Sequence, residues 1–271
     1  TRIEAQDIAG SGWKYTDPNS KLALSFWIKA STADNFQVQL QSHDGTNKKF
    51  NFVAPATTSW TKITKIIPGH ADLQFDNNTD QGLSIGLYLA AGADFAGSVT
   101  QDTWVANTVA YLNSSQINTW ISAGAGSVET TGWQLEVGDA VTDYEHRTYG
   151  DELLRCQRYY QRLGAPRSAI GDGGSFFGAY TQGSSNKYIG THFFPVVMRG
   201  NPSSVEWSGT LAQYGGTSDS DGEIVATAIG NSHTCRTSGR IHLTVSSIGG
   251  GKGGLIMSKS NSAYFAWNAE L

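Results

Sequence analysis

The chain has 271 residues, of which 15% are charged and 11% are aromatic, and it contains 32 glycines. Few charges with many glycines and aromatic residues are typical of a turn-rich β protein, and they disfavour a helical bundle or a disordered chain. A net charge of −4 disfavours general nucleic-acid binding, and the sequence has no apolar run near the ~18 residues that membrane insertion requires.

The first half of the chain predicts an antiparallel β-sandwich. Strict alternation in Phe36–Gln41 places Phe36, Val38 and Leu40 on one face of a strand. Similar runs predict further strands at 21–29, 50–52, 60–66, 83–89 and 133–137. Turn clusters such as Pro68–Gly69 separate these runs, and no helix-period segment lies between them, which favours a sandwich over a parallel fold.

The segment Asp151–Leu163 predicts a short helix, because Leu153, Gln157 and Tyr160 recur at helical spacing. Acidic residues begin the segment and arginines lie near its end, which matches the direction of the helix dipole. Gly164 follows directly and is expected to end the helix.

After this segment the sequence again predicts strands, now joined by Gly-rich links. They are expected at 188–197, 204–207, 224–228, 241–245 and 263–267. The net charge changes from −6 over residues 1–148 to +2 over residues 149–271, which favours two domains. The second half is poor in large aliphatic residues, so we expect its core to be closed by association with sister subunits.

The junction between the halves resembles a motif of phage tail-fibre proteins. The resemblance is carried by Thr131–Arg147, with its Gln-Leu-Glu-Val-Gly run, and by Tyr149–Tyr160, with its Cys-Gln-Arg-Tyr-Tyr run. Upstream, Leu24–Lys29 and Asp102–Trp104 are similar to strands of a carbohydrate-binding-module-like jelly roll. Downstream, Phe194–Arg199 and the end of the chain are similar to the C-terminal domain of such fibres.

The resemblance implies an N-terminal jelly-roll β-sandwich over residues 1–148, a connecting helix over 149–165 and a β-sandwich-like trimeric tip over 166–271. It also implies a homotrimer on the virion, in the tail fibre, that binds a bacterial surface polysaccharide or lipopolysaccharide. The chain begins with Thr1 rather than methionine, so we expect a fragment that joins other tail proteins through its missing N-terminal region.

Sugar binding needs aromatic faces together with planar amide or carboxyl groups. Trp27 and Trp60 lie in apolar strand patterns and are expected in the core, whereas Trp104 and Trp120 flank polar stretches and are the candidate sugar platforms. Other candidate contacts, for which ordinary exposed surface is the alternative, are Asp76, Asn77, Tyr214, Asp219, Asp221, Lys252 and Tyr264.

A structural Ca²⁺ ion is the one metal that the resemblance implies, with Glu4, Glu136 or Asp143 as ligands. If the strand at 133–137 alternates, Glu136 faces away from Trp133, so an exposed sheet face or an interface with the second domain explains it equally well. His233 and Cys235 lie two residues apart, but so few ligands favour an ordinary loop end over a zinc site.

We expect no enzymatic activity, because the sequence has no complete catalytic constellation. Asp219 and Asp221 cluster in a Gly/Ser-rich turn without the framing that a glycosidase needs. Two alternatives to a fibre adhesin remain open. One is the carbohydrate-binding module of a polysaccharide-degrading enzyme, and the other is a structural tail spacer without a ligand of its own.

Overall fold

The computed structural model describes residues 1–108, 110, 112–113, 124, 126–164, 175–181, 186–202, 205–214, 223–245, 253–258 and 263–270. These residues form mainly antiparallel β-sheets, so the predicted all-β class is confirmed. The chain divides into two compact units, unit 1 over Thr1–His146 and unit 2 over Arg147–Glu270. Within the described part, no helix is long and apolar enough to cross a membrane.

Unit 1 is a β-sandwich whose described residues include two short helical segments, α1 (Ala5–Ala9) and a 3-10 turn (Ala93–Phe95). Its described strands are β1 (Arg2–Glu4), β2 (Lys21–Ala30), β3 (Asp34–Ser42), β4 (Lys48–Ala56), β5 (Thr61–Pro68), β6 (Gln81–Tyr88), β7 (Ala96–Gly97), β8 (Trp104–Ala106), β9 (Leu112–Asn113) and β10 (Val128–Val137). One sheet has the order β1-β6-β3-β4-β8 and the other β10-β2-β5, while β7 and β9 form a small parallel pair.

The two larger sheets of unit 1 enclose an apolar core. The predicted alternation of β3 is confirmed, because Phe36, Val38 and Leu40 are completely buried in this core. The intervening Gln37 and Gln39 on the opposite face are buried too. Their amides are hydrogen-bonded: the Gln37 amide donates to the Phe52 carbonyl at 2.8 Å, and the Gln39 amide donates to Asn51 Oδ1 at 2.9 Å. Burial of these amides is therefore compensated by hydrogen bonds.

Unit 2 begins with helix α2 (Tyr149–Gln157). Its described strands are β11 (Tyr160–Gly164), β12 (Ser175–Thr181), β13 (Lys187–Phe193), β14 (Val205–Ser208), β15 (Leu211–Tyr214), β16 (Glu223–Val225), β17 (Ala228–Cys235), β18 (Ser238–Thr244), β19 (Gly253–Ser258) and β20 (Tyr264–Asn268). They form a three-stranded sheet, β11-β20-β14, and a seven-stranded sheet, β16-β15-β19-β12-β13-β18-β17.

The predicted connecting helix is right at its start and wrong at its end. The Thr148 hydroxyl caps the helix by accepting from the Asp151 N–H at 3.3 Å. The helix ends at Gln157 rather than Leu163, because the following residues form β11 and pair with β20. Pairing with a strand about 100 residues later in the sequence outweighs the helical spacing of the segment.

Unit 2 closes a core of its own. Tyr188, Phe265 and Trp267 are completely buried in it, alongside Ile241 and Leu243. The described residues of unit 2 thus bury aromatic side chains together with aliphatic ones, and closure of its remaining apolar surface by sister subunits stays a prediction. Trimerisation itself stays a prediction.

Candidate functional site

Trp104 is not an exposed platform, so that prediction is wrong. Its side chain is 5% exposed, and its indole N–H donates to the Pro68 carbonyl at 2.7 Å. The pairing of β8 with β4 places the ring against Phe50, with ring centroids 5.6 Å apart. The neighbours of Trp104 in the sequence are polar and indicated an exposed ring, but the ring itself faces the core.

For several other predicted sugar contacts, the structure does not describe the side chain. Trp120, Asp219, Asp221 and Lys252 lie outside the described residues. Of Tyr214 the structure describes the strand pairing of the backbone in β15. Their roles stay predictions.

Asp76 and Asn77 lie in an exposed loop of unit 1. The Asp76 carboxylate accepts from the Gln74 amide at 3.0 Å, and the Asp76 N–H donates to Asp44 Oδ2 at 3.0 Å. These local bonds are those of a hydrogen-bonded surface turn. A sugar-binding role for the two residues stays a prediction.

The tryptophans expected in the core are instead exposed, so this prediction is wrong. Trp27 is 40% exposed and Trp60 is 43% exposed. In β2, Phe26 and Ile28 point into the core, and the alternation of a strand therefore turns Trp27 outward. The sequence carried this signal, but the run 21–29 also has apolar residues on its outer face, Ala23 and Trp27, which is typical of an interior strand.

Trp27 and Trp60 lie on the outer face of the sheet β10-β2-β5, in two adjacent rows across the strands. In one row, Trp27 pairs with Thr131 on one side and Lys62 on the other. In the next row, Lys29 Nζ lies 2.8 Å from Glu129 Oε1 and 5.3 Å from the centroid of the Trp60 ring. We call the surface formed by Trp27, Lys29, Trp60, Lys62 and Glu129 the indole face.

A β-bulge borders the indole face. The register of β10 against β2 shifts between Thr131 and Gln134, and Gly132 has a φ of 62°. A Cβ atom at Gly132 would lie 3.3 Å from Trp27 Cδ1 and 3.8 Å from Tyr144 Cδ2. Glycine is therefore required both by the left-handed backbone and by the close approach of two exposed rings.

The segment after β10 is pinned to this sheet by side-chain hydrogen bonds. As predicted, Glu136 faces away from Trp133, which packs against the core, and Gln134 lies on the same face as Glu136. The Glu136 carboxylate accepts from the Thr142 N–H at 2.8 Å and from the Thr142 hydroxyl at 2.7 Å. The bond from the Thr142 N–H is the main cause that lowers the pKa of Glu136. The Glu145 N–H donates to Gln134 Oε1 at 2.8 Å, which fixes the position of Tyr144 between these anchors.

The carboxylates predicted to hold Ca²⁺ do not form one group. Glu4 is buried on β1 of the other sheet, where it accepts from the Gln6 amide at 2.7 Å. Both oxygens of Glu136 already accept hydrogen bonds from Thr142, and Asp143 is exposed. Among the described residues no three His, Cys, Asp or Glu side chains are placed to share a metal ion. Calcium binding stays a prediction without a ligand set.

The His233–Cys235 segment ends strand β17 and leads into a turn. Hydrogen bonds with the Ser238 and Thr237 hydroxyls, at 3.4 Å and 3.2 Å from Cys235 Sγ, lower the pKa of this exposed thiol to about 6. His233 Nδ1 lies 3.3 Å from an Arg240 guanidinium nitrogen. An arginine beside the imidazole disfavours a cation there, which agrees with the loop-end interpretation.

Tyr264 lies on β20 in unit 2, where the guanidinium carbon of Arg162 is 4.1 Å from the centroid of its ring. Tyr264 is half-buried beside this exposed arginine, and its role as a sugar contact stays a prediction.

No family model matches the chain, and no curated protein matches its sequence. The chemistry of the indole face is nevertheless specific. Two exposed indole rings offer flat apolar faces, while Lys62 and the Lys29–Glu129 pair offer hydrogen-bond donors and acceptors beside them. Such a combination suits a ligand with both apolar C–H faces and hydroxyl groups.

Proposed function

We propose that the chain is a non-catalytic receptor-binding protein of a phage tail fibre, and that it attaches the virion to a bacterial surface glycan. The observation that carries this proposal is the exposure of Trp27 and Trp60 on one face of unit 1, 40% and 43% respectively. A pyranose ring stacks its C–H face on such an indole, and its hydroxyl groups bond to neighbouring polar side chains.

The surroundings of the rings support a sugar as the ligand. Lys29 is held by Glu129 at 2.8 Å and lies against Trp60, so this amine and carboxylate are fixed beside an aromatic ring. Lys62 is exposed next to Trp27. Fixed polar groups lose little side-chain entropy when a ligand binds, which favours recognition of hydroxyl groups in a defined orientation.

The fibre part of the proposal draws on the resemblance at the junction and on the surface of unit 2. Tyr180 on β12 and Phe193 on β13 are large, apolar and more than half exposed. Large aromatic side chains at such positions are available to be buried between subunits. We propose a homotrimer, in which three weak glycan sites give a strong total attachment through avidity.

A glycan array with host surface polysaccharides and lipopolysaccharides tests the proposal, with light scattering to measure the mass of the assembly. We expect binding by the wild-type chain and a loss of about tenfold or more for the double variant Trp27→Ala, Trp60→Ala, because stacking on each ring contributes of the order of 1 kcal/mol.

The matched control is Trp207→Ala, since Trp207 is an equally exposed tryptophan on β14 of unit 2. It should leave binding to the array unchanged. A wild-type chain that binds no host glycan would leave the tail spacer as the better function. A monomer that binds glycan would favour the accessory module of an enzyme.

A further inference from the structure

The outer face of the sheet β11-β20-β14 carries a second cluster of polar and aromatic side chains. Strand register places Arg162 and Glu206 on opposite sides of Ala266, in one row across the three strands. Tyr160, beside Asn268, and Tyr264 lie in the neighbouring rows. We call the surface formed by Tyr160, Arg162, Glu206, Tyr264 and Asn268 the arginine face.

Arg162 is exposed and is already held in place. Its guanidinium carbon lies 4.1 Å from the centroid of the Tyr264 ring, a distance at which a cation is attracted to the π-system. Among the described residues no carboxylate lies within ion-pair distance of this guanidinium. Its N–H groups thus remain free to bind a planar anion in a bidentate manner.

Glu206 is fixed at the opposite side of the row. Its Oε2 accepts from the Tyr160 hydroxyl at 3.4 Å, and its Oε1 lies 3.5 Å from the Asn268 amide nitrogen. Burial and the nearby Glu206 carboxylate raise the pKa of Tyr160, so this hydroxyl keeps its proton. Glu206 is exposed and retains acceptor capacity for further donors.

The distance between Arg162 and Glu206 limits which ligands can contact both side chains. Arg162 and Glu206 are separated by Ala266, hence by two strand spacings, about 10 Å between backbones. Ala266 is completely buried, and the Tyr160 side chain reaches from β11 to Glu206 on β14, so a ligand that contacts both Arg162 and Glu206 lies over Tyr160. A ligand across this row would meet N–H donors at one end and a carboxylate acceptor at the other.

We infer that the arginine face is a second glycan site, specific for an acidic sugar. The sugar carboxylate binds the Arg162 guanidinium, and the sugar hydroxyls donate to Glu206 and bond to the Asn268 amide. A neutral sugar would leave the guanidinium without a partner, and a simple anion would leave Glu206 facing a negative charge. This inference rests on the proposed function, because it assigns a class of glycan to unit 2.

The experiment uses the full chain with the double variant Trp27→Ala, Trp60→Ala as background, so that the indole face does not contribute. Calorimetry compares trigalacturonate with a neutral galactose trisaccharide. We expect binding of the acidic trisaccharide and at least tenfold weaker binding of the neutral one, since charge-assisted bonds to an arginine are the stronger kind.

Arg162→Gln in the same background should weaken binding of trigalacturonate about tenfold or more. Arg155→Gln is the matched control, because Arg155 is an exposed arginine on α2, and it should leave binding unchanged. Equal losses in the two variants, equal binding of both sugars, or no binding of trigalacturonate would overturn the inference. None of these results touches the proposed function, whose array experiment depends on Trp27 and Trp60.

Discussion

Both units contain a three-stranded antiparallel sheet with a basic residue against an aromatic ring on its outer face. In unit 1 the cation is Lys29, which lies over Trp60 and is also paired with Glu129. In unit 2 it is Arg162, which lies over Tyr264 and has no such carboxylate partner among the described residues. Similar sheets thus offer different chemistry, because the cation over the ring is paired with a carboxylate in unit 1 and has no such partner among the described residues in unit 2.

The inner faces of the same two sheets differ in a comparable way. Phe26, on the central strand β2, stacks on Trp133 with ring centroids 3.8 Å apart. Trp267, on the central strand β20, stacks on His192 with centroids 5.3 Å apart. One unit therefore supports its sheet with two apolar rings, whereas the other places a half-buried titratable ring against its central tryptophan.

The largest expected effect comes from removing the two central aromatic side chains. Phe26→Ala and Trp267→Ala should each cost about 3–5 kcal/mol of unfolding free energy, because a large buried ring is lost and a cavity remains. Hydrogen exchange measured peptide by peptide should show the loss of protection in the unit that carries the substitution. Equal loss of protection in both units for either variant would contradict the separation into two cores.

A smaller effect is expected from the glycine at the bulge of unit 1. Gly132→Ala should cost about 1–2 kcal/mol, because an L-residue at a φ of 62° is strained. The added Cβ would also press on Trp27, so the affinity of the indole face should fall. Denaturant unfolding and the glycan array measure the two effects.

Gly164→Ala provides the control for that variant in the sheet of unit 2. Gly164 lies on β11, has no positive φ, and a Cβ there would meet open space. Its stability should change by a few tenths of a kcal/mol at most, as for ordinary surface positions. A cost as large as that of Gly132→Ala would show that backbone strain at the bulge is not the cause.

The smallest effect is a dependence of stability on pH. Burial among aromatic rings lowers the pKa of His192, so the unfolded chain binds its proton more readily than the folded one. This contribution to stability is present above the unfolded pKa of about 6.5 and is lost as the pH falls below it. Urea unfolding of unit 2 should therefore show lower stability at pH 5.5 than at pH 7.5.

His192→Phe should reduce this pH dependence while keeping a ring against Trp267. Some dependence should remain, because burial lowers the pKa of His242 and of His43 as well, and Lys187 and Arg2 act in the same direction. An unchanged slope with pH in His192→Phe would show that this histidine does not contribute.

Much of the fold could be predicted from the sequence, because local patterns carry it. Alternation predicted β3 and the inward position of Phe36, Val38 and Leu40, and the acidic start of α2 placed the beginning of the helix. The same reasoning failed for the second half of that helix. Residues 160–164 have helical spacing, but pairing with β20 decides their structure.

The candidate sites were harder to predict, because exposure depends on which face of a strand meets the other sheet. The sequence pattern predicted an exposed Trp104, which is buried, and a buried Trp27 and Trp60, which are exposed. For Trp27, the alternation of its neighbours in β2 already indicates a side chain that points outward. The burial of Trp104 depends on the pairing of β8 with β4, which joins residues about 50 positions apart.

The sequence by itself determined the all-β class, the positions of most strands and the start of the helix, because hydrophobic periodicity and capping act over a few residues. Tertiary structure decided which tryptophans face solvent, where the helix ends and which charges lie beside aromatic rings. Those outcomes depend on contacts between distant strands, and their energies outweigh the preferences of the local sequence.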